Sequence, residues 1–292
     1  MIHAILILAH RNPEMLIPLV KYFKRDCIVY IHYDAASLLP LSIRSALNEI
    51  PQVRGIYQQY RVHWGGFSVL QAELFLLRTA LSDSRADFYH LISGQDYPIK
   101  SLRKFLSFFE ARHGRDYIEY NELNLESNHF DVLRRLSIFQ PYDRVDVRCK
   151  KGRNTVLAWS NHQLRNGFRR RCPRCFPQYY KGSQWFSITA TSARLLLTYT
   201  SDSPAFLEHF RDEFAPEECY VPTVIVNLSP VPRLSCNLRY IRWKSEHGNN
   251  PSNLGPEHFQ DIRQSDAFFA RKMEPPFCIP LIKQIEKELL YG

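Results

Sequence analysis

The residues of this chain that can do chemistry fall into two charged pairs and three polar turns. Glu217 and Glu218 follow Pro216. Proline suits the first position of a helix, so both carboxylates belong in a first turn, where the positive end of the helix dipole favours the ionised form. A carboxylate held there can take the proton from a hydroxyl as its oxygen attacks carbon. The plain alternative is an ordinary acidic first turn. Arg271 and Lys272 close the run Phe268-Phe269-Ala270. Fixed cations in a poorly solvated cleft stabilise charge developing on a leaving phosphate, and here the plain alternative is a solvated pair at the end of an element.

The turns are His10-Arg11-Asn12-Pro13, His32-Tyr33-Asp34 and Ser93-Gly94-Gln95-Asp96-Tyr97-Pro98. Each follows a strand-like apolar run, and ligands of open α/β sheets bind beyond the carboxyl ends of strands. Asp34 is either an acceptor for a ligand or a turn former. Other chemistries lose their support: G-x-G-x-x-G, G-x-x-x-x-G-K-[ST] and G-x-S-x-G are all missing, so neither a dinucleotide fold, a P-loop ATPase nor a serine hydrolase is indicated. Cys172-Pro173-Arg174-Cys175 is a lone C-x-x-C; a structural zinc would need two more ligands, and only Cys149 and His162 lie near in sequence.

Elements must position these groups, and strand-like runs alternate with helix-like ones, the pattern of a mostly parallel sheet covered by helices. Strands are expected at residues 2–9, 27–32, 55–60 and 87–92. Helices are expected at 12–25, 41–50, 68–81 and 101–114, the third opened by a Ser68-x-x-Gln71 capping box and the fourth capped by Ser101. Residues 115–180 show no clear period and are expected to be irregular. Beyond them a strand reaches residue 190, helices follow near 192–199, 204–214 and from 216, and a strand at 238–243 precedes helices at 256–263 and 280–291.

The chain has 292 residues, 45% of them hydrophobic, and shows neither a repeat nor a low-complexity linker, so one domain over 1–292 is expected. The opening MIHAILILAH is short, lacks a basic leader and ends at a turn signal, so it reads as a buried strand and no signal peptide or anchor is expected. Seven scattered cysteines argue against a disulfide framework and for the interior of the cell. The formal net charge is +9, and the stretch between Val147 and Cys175 holds nine basic residues and no acidic one. Such a stretch suits nucleic acid, an anionic membrane surface or a diphosphate-bearing acceptor; a solvated basic loop is the bland alternative, and no recognised nucleic-acid motif accompanies it.

Taken in order, ILAHRNP, VYIHYD, HWGGFSVLQAEL, HLISGQDYPIKS, KGSQWFSIT, APEECYVPT, RYIRW and FFARK resemble the core-2/I-branching β-1,6-N-acetylglucosaminyltransferase and peptide O-xylosyltransferase family, in particular its bacterial members. The resemblance runs through nearly the whole chain. It implies a glycosyltransferase A-type, Rossmann-like three-layer α/β sandwich, with residues 1–115 as a nucleotide-sugar-binding half and 116–292 as an acceptor-binding and catalytic half. Transferases of this general fold usually hold a divalent ion on Asp-x-Asp, which this chain lacks. The resemblance implies instead that basic side chains meet the diphosphate, so no metal or other cofactor is expected and the UDP-sugar is a co-substrate.

By the same resemblance Glu218, the last residue matching the family's Pro-Asp-Glu, is the catalytic base. Lys272 and Arg271 meet the diphosphate, with His10, Asp34 and Asp96 completing the donor site. A second diphosphate arginine has no match, and Arg242 or Lys244 stand as substitutes. Glu119, Arg134, Arg135, Trp185, Tyr240 and Trp243 are expected at the acceptor, where aromatic faces suit sugar C–H surfaces. The implied reaction is inverting, metal-independent transfer, GlcNAc first among donors, to a hydroxyl of a growing surface glycan. That acceptor is expected to be lipid-linked, with the stretch from Arg148 to Arg174 touching the inner face of the cell membrane and no nucleic-acid partner. Xylosyl transfer is the rival within enzymes, and a non-catalytic glycan- or nucleic-acid-binding protein the rival outside them.

Overall fold

The computed structural model describes residues 1–24, 26–125, 132–244 and 251–290, with the side chains of Leu133 and Arg134 outside that description. Twelve strands lie in it: β1 (His3–Ala9), β2 (Cys27–Tyr33), β3 (Val53–Tyr57), β4 (Phe88–Ser93), β5 (Tyr97–Pro98), β6 (Asp116–Ile118), β7 (Asn121–Leu123), β8 (Tyr179–Lys181), β9 (Phe186–Thr189), β10 (Arg233–Leu234), β11 (Arg239–Ile241) and β12 (Phe269–Arg271). Seven build the main sheet in the order β10-β6-β9-β4-β1-β2-β3. Neighbours pair in parallel except β9, which is antiparallel to both β4 and β6. A small sheet joins β11, β12 and β5, and β7 pairs with β8.

A parallel sheet covered on both faces needs strands that are apolar throughout, and β1 meets that need. Ile5, Ile7 and Ala9 enter one apolar cluster, with the helices Leu16–Tyr22, Leu102–Ala111 and Cys278–Ile285. Ala4 and Leu6 enter the other, with Phe67–Asp83, Ala190–Asp202 and Glu217–Leu228. The result is the three-layer α/β sandwich with a mostly parallel sheet that the alternation predicts. Strands β6, β9 and β10 complete a sheet begun by β1 to β4, so residues on both sides of position 115 share it.

Polar side chains interrupt the first layer at His3 and His90. His3 Nδ1 lies 3.0 Å from His90 Nε2, and His90 Nδ1 lies 2.9 Å from Ser187 Oγ. Both rings are buried among Phe88, Phe105 and Phe109. Burial holds the His3 imidazole down at about 4 and His90 well below its ordinary value, because a charged ring there would be poorly solvated.

Two expectations are corrected. No capping box opens the helix Phe67–Asp83. Ser68 Oγ accepts from the His63 amide at 2.8 Å and donates to Asp143 Oδ1 at 2.6 Å, and the Asp143 carboxylate also receives the Ser68 amide. A distant carboxylate thus replaces the local cap. The stretch 115–180 is not irregular throughout, since Lys150–Arg165 forms a 16-residue helix. Its inward stripe is Gly152, Val156, Ser160 and Gln163, helically spaced but with a single bulky apolar member, so hydrophobic periodicity cannot reveal it. Among the described residues no helix is long and apolar enough to cross a membrane.

Candidate active site

Because β1, β2, β4 and β6 share a direction, their carboxyl ends line one edge of the sheet, and the antiparallel β9 begins there. The pairings His90↔Ser187 and Ile118↔Phe186 bring Trp185 beside the ends of β4 and β6. His10, Asp34, Asp96 and Glu119 all stand just beyond a strand end on this edge.

The glutamates come from the second helical layer. Pro222 lies inside the helix Glu217–Leu228 and has no N–H, so the carbonyl four residues back, that of Glu218, has no partner in the helix. The Gly182 amide takes that carbonyl at 2.8 Å. Two further contacts continue the seam: the Tyr180 amide donates to Thr223 Oγ1 at 3.0 Å, and Asn227 Nδ2 donates to the Gln178 carbonyl at 2.8 Å. Residue 182 must be glycine, since a Cβ there would sit 1.7 Å from the Glu119 carbonyl oxygen. One glycine therefore bonds the Glu218 carbonyl and lies close against that of Glu119.

The Glu218 side chain is 29% exposed and pairs with Arg135, 2.7 Å from Nη2 to Oε2. Arg135 is itself fixed by Nη1 bonds to the carbonyls of Phe214 and Ala215 and by the Phe214 ring, 4.9 Å away. Its guanidinium, expected at the acceptor, thus orients Glu218. Glu119 receives Asn237 Nδ2 at 3.0 Å, and its pKa is raised by burial and then by the negative charge of Glu218. Glu217 points inward and is buried, which, with the Glu218 charge, lifts its carboxyl to about 8. Behind it Glu73 is buried with neither oxygen hydrogen-bonded, and burial, then Glu217, raises it well above the usual range.

The cations come from the small sheet. Arg271 is buried, with its Cζ 4.1 Å from the centre of the Trp185 ring and its Nε 3.5 Å from Asp96 Oδ1. Neither Nε nor Nη1 makes a hydrogen bond, so buried donors stand ready for acceptor oxygens. Asp96 also receives the Ser93 amide on Oδ2 at 3.0 Å. Burial raises its pKa, Arg271 opposes that shift, and the carboxylate serves to hold Arg271. Lys272 is set by two backbone bonds, its amide to the Ser252 carbonyl and its carbonyl from the Leu254 amide, and the Met273 amide reaches the Gln95 carbonyl at 2.8 Å. Its ammonium pKa is lowered by desolvation, then by the charges of Arg271 and Arg11, with Glu274 opposing.

Arg11, which sequence reasoning passed over, joins this cationic group. Its Nη1 lies 3.5 Å from Glu274 Oε1 and its Nε donates to His10 Nε2 at 2.8 Å. Its place directly after β1 was the available signal. Arg242 is turned elsewhere, 3.7 Å from Asp261, while Ser252, the residue that holds the Lys272 amide, also bonds the Lys244 carbonyl. His10 has its pKa lowered by desolvation and by Arg11, so it stays a neutral acceptor. Asp34 is taken up by its turn, receiving the Ala36 and Val62 amides and the Ser37 hydroxyl. It lines a shallow groove with Arg61, His63, Trp64, Val147 and Arg148.

The acceptor residues divide. Trp185 is buried with one face covered by Arg271. Tyr240 packs against the first apolar cluster and donates to Asp261 Oδ2 at 3.3 Å, on the opposite face of the main sheet from the cluster holding Trp185. Trp243 is 69% exposed, between Arg242 and Lys244, which both bond Ser252. The side chain of Arg134 lies outside the described residues. Cys172 and Cys175 are free thiols, and among the described residues no three His, Cys, Asp or Glu side chains are grouped to hold a metal ion.

Gly182, bonded to Glu218, and Trp185, stacked on Arg271, are three residues apart, so their Cα atoms lie within about 11 Å. Fold and site together define an α/β protein with polar side chains gathered at the carboxyl edge of its sheet, a part-exposed carboxylate at Glu218, and the cations Arg271, Lys272 and Arg11 set beside Trp185 and His10. The model of the Core-2/I-Branching enzyme family matches residues 4–263, and the chain belongs to that family. It is 26% identical over 287 residues to Xylosyltransferase oxt of Drosophila melanogaster, covering 91% of this chain and 30% of that protein. It is 24% identical over 294 residues to the human probable beta-1,3-galactosyl-O-glycosyl-glycoprotein beta-1,6-N-acetylglucosaminyltransferase 7, covering 93% and 64%. The chain thus spans about a third of the xylosyltransferase's length. Among solved structures, S. aureus TarS 1-349 in complex with UDP aligns at a TM-score of 0.40 and 11% identity, covering 90% of this chain and 63% of that one.

Proposed function

We propose that the chain is an inverting, metal-independent glycosyltransferase that moves a sugar from a UDP-sugar to a glycan hydroxyl. The observation that carries this reading is that one short segment touches both groups: the Gly182 amide bonds the Glu218 carbonyl and, three residues on, the Trp185 ring carries Arg271. Glu218 takes the acceptor's proton, and the freed oxygen attacks the anomeric carbon from the face opposite UDP. The bond from that carbon to the phosphate oxygen breaks, its electron pair leaves with UDP, and an α-linked donor yields a β-linkage. Arg135 keeps Glu218 aimed. Glu217 makes a poor base, because a buried carboxyl with a pKa near 8 is mostly protonated at neutral pH.

Charge on the departing diphosphate is met by Lys272 and Arg11, with Arg271 behind them. The absence of Asp-x-Asp and the engagement of Asp96 by Arg271 support cations in the role of a divalent ion. GlcNAc is the first donor proposed, onto a surface glycan carried on a lipid. A second reading, xylosyl transfer, is favoured by the names of relatives at 25–26% identity, Xylosyltransferase oxt and Xylosyltransferase 1. Release of UDP from UDP-GlcNAc, UDP-xylose and UDP-glucose, with and without EDTA, tests the proposal. Turnover indifferent to EDTA supports it, and strong activation by Mn²⁺ contradicts it.

A further inference from the structure

The helix Lys150–Arg165 turns Gly152, Val156, Ser160 and Gln163 inward. At 100° per residue the opposite face then presents Lys150, Lys151, Asn154, Ala158, Asn161 and Arg165, all exposed. Leu157, 53% exposed, borders that strip beside Lys150, whereas Trp159 lies round the helix from it, next to the inward Gly152. Arg169 and Arg171 follow the helix, with the exposed Phe168 before them. Of the nine basic residues in the stretch, Arg148 is paired with Asp146 and Arg170 with the buried Glu213. Among the described residues no carboxylate pairs with Lys150, Lys151, Arg165, Arg169 or Arg171, so an exposed cationic face is left without a partner.

We infer that this helix docks the protein on an anionic lipid bilayer. Cations gain from the negative surface potential of such a leaflet, and a nucleic-acid backbone would serve them equally. The apolar side chain bordering the cations decides between the two. Leu157, next to Lys150 on that face, gains nothing against phosphates, but a bilayer offers an apolar layer directly beneath its charged surface. The helix begins two residues after Arg148, which lines the groove shared with Asp34 and Trp64, so docking holds the carboxyl edge of the sheet beside the headgroups. This inference does not depend on turnover.

Co-sedimentation of the full chain with vesicles tests it. Binding to vesicles of phosphatidylcholine doped with phosphatidylglycerol is expected to exceed binding to pure phosphatidylcholine and to weaken in high salt. Each cation near such a surface is worth roughly fivefold in affinity, so the variant Lys150→Gln/Lys151→Gln/Arg165→Gln is expected to bind about 100-fold more weakly with its Tm little changed. Leu157→Ser is expected to lose about tenfold through the apolar contact. Equal binding to the two vesicle types, undiminished binding by the triple variant, or salt-steep binding to an RNA or DNA oligonucleotide in place of vesicles would overturn the inference.

Discussion

The Gly182 amide fills the Glu218 carbonyl at 2.8 Å, a place in the helical ladder that Pro222 leaves open. Helix interruption and site construction are therefore the same event. Gly182→Ala would drive a methyl into the Glu119 carbonyl, forcing apart the strand that carries Glu119 and the helix that carries Glu218. Overpacking of this kind costs about 1–3 kcal/mol. We expect a lowered Tm together with a fall in UDP release of at least about tenfold, since small displacements of a catalytic group are costly. Full activity in a well-folded Gly182→Ala protein would show that the seam does not set the site.

Lys272 and Arg11 differ in surroundings and should differ in effect. Lys272 is half-buried between Arg271 and Glu274, whereas the Arg11 side chain is 51% exposed. Charge stabilisation is worth more where water is excluded. Lys272→Ala should lower turnover by about 100-fold or more, and Arg11→Ala by about tenfold or less, with the Arg11 effect shrinking in high salt. Steady-state UDP release at two ionic strengths checks both, and a larger loss from Arg11 would reverse the assignment.

Glu217 gives a pH dependence whose sign can be worked out. Unfolded, its carboxyl ionises near 4.5; folded, burial and the Glu218 charge hold it protonated up to about 8. Between those values the native state carries a proton that the unfolded chain has lost, so stability falls as pH rises through the window. Glu217→Gln removes this contribution. Its Tm should exceed that of the parent by about 3 °C or more at pH 8 and converge with it near pH 4.5. A gap of the same size at both ends would contradict the protonated state assigned here.

The buried histidines act in the opposite direction. His3 titrates at 6.5 unfolded and at about 4 when folded, because burial disfavours its charged form. Below 6.5 the unfolded chain binds the extra proton, so stability is lost as pH falls from 6.5 towards 4. His3→Gln should flatten the Tm profile across that range. A profile as steep as the parent's would place the acid sensitivity elsewhere.

The first half of the fold was legible because its strands are apolar throughout and its helices carry apolar stripes. The helix Lys150–Arg165 was not, since glycine, serine and glutamine fill its inward stripe. At the site, place after a strand pointed to the turns holding His10, Asp34 and Asp96, whereas Glu119 and Lys272 were reached only through the family resemblance. What Arg135 and Tyr240 touch could not be read, because their partners, Glu218 and Asp261, lie 83 and 21 residues away in sequence. Arg11 and Gly182 stood within motifs whose other members drew the attention. Their roles depend on close approaches, to Glu274 and to the Glu119 carbonyl, that only tertiary structure creates.

The central claim is that Glu218 primes the incoming alcohol while cations receive the departing diphosphate. Glu218→Gln keeps the size of the side chain and removes the base. UDP release with donor and acceptor present, measured beside UDP binding by calorimetry, tests the claim most directly. Turnover should fall by about 10²- to 10⁴-fold while UDP affinity stays within about twofold, as the diphosphate is held by other residues. Turnover near that of the parent, or a loss of UDP binding that accounts for the whole decrease, would contradict it.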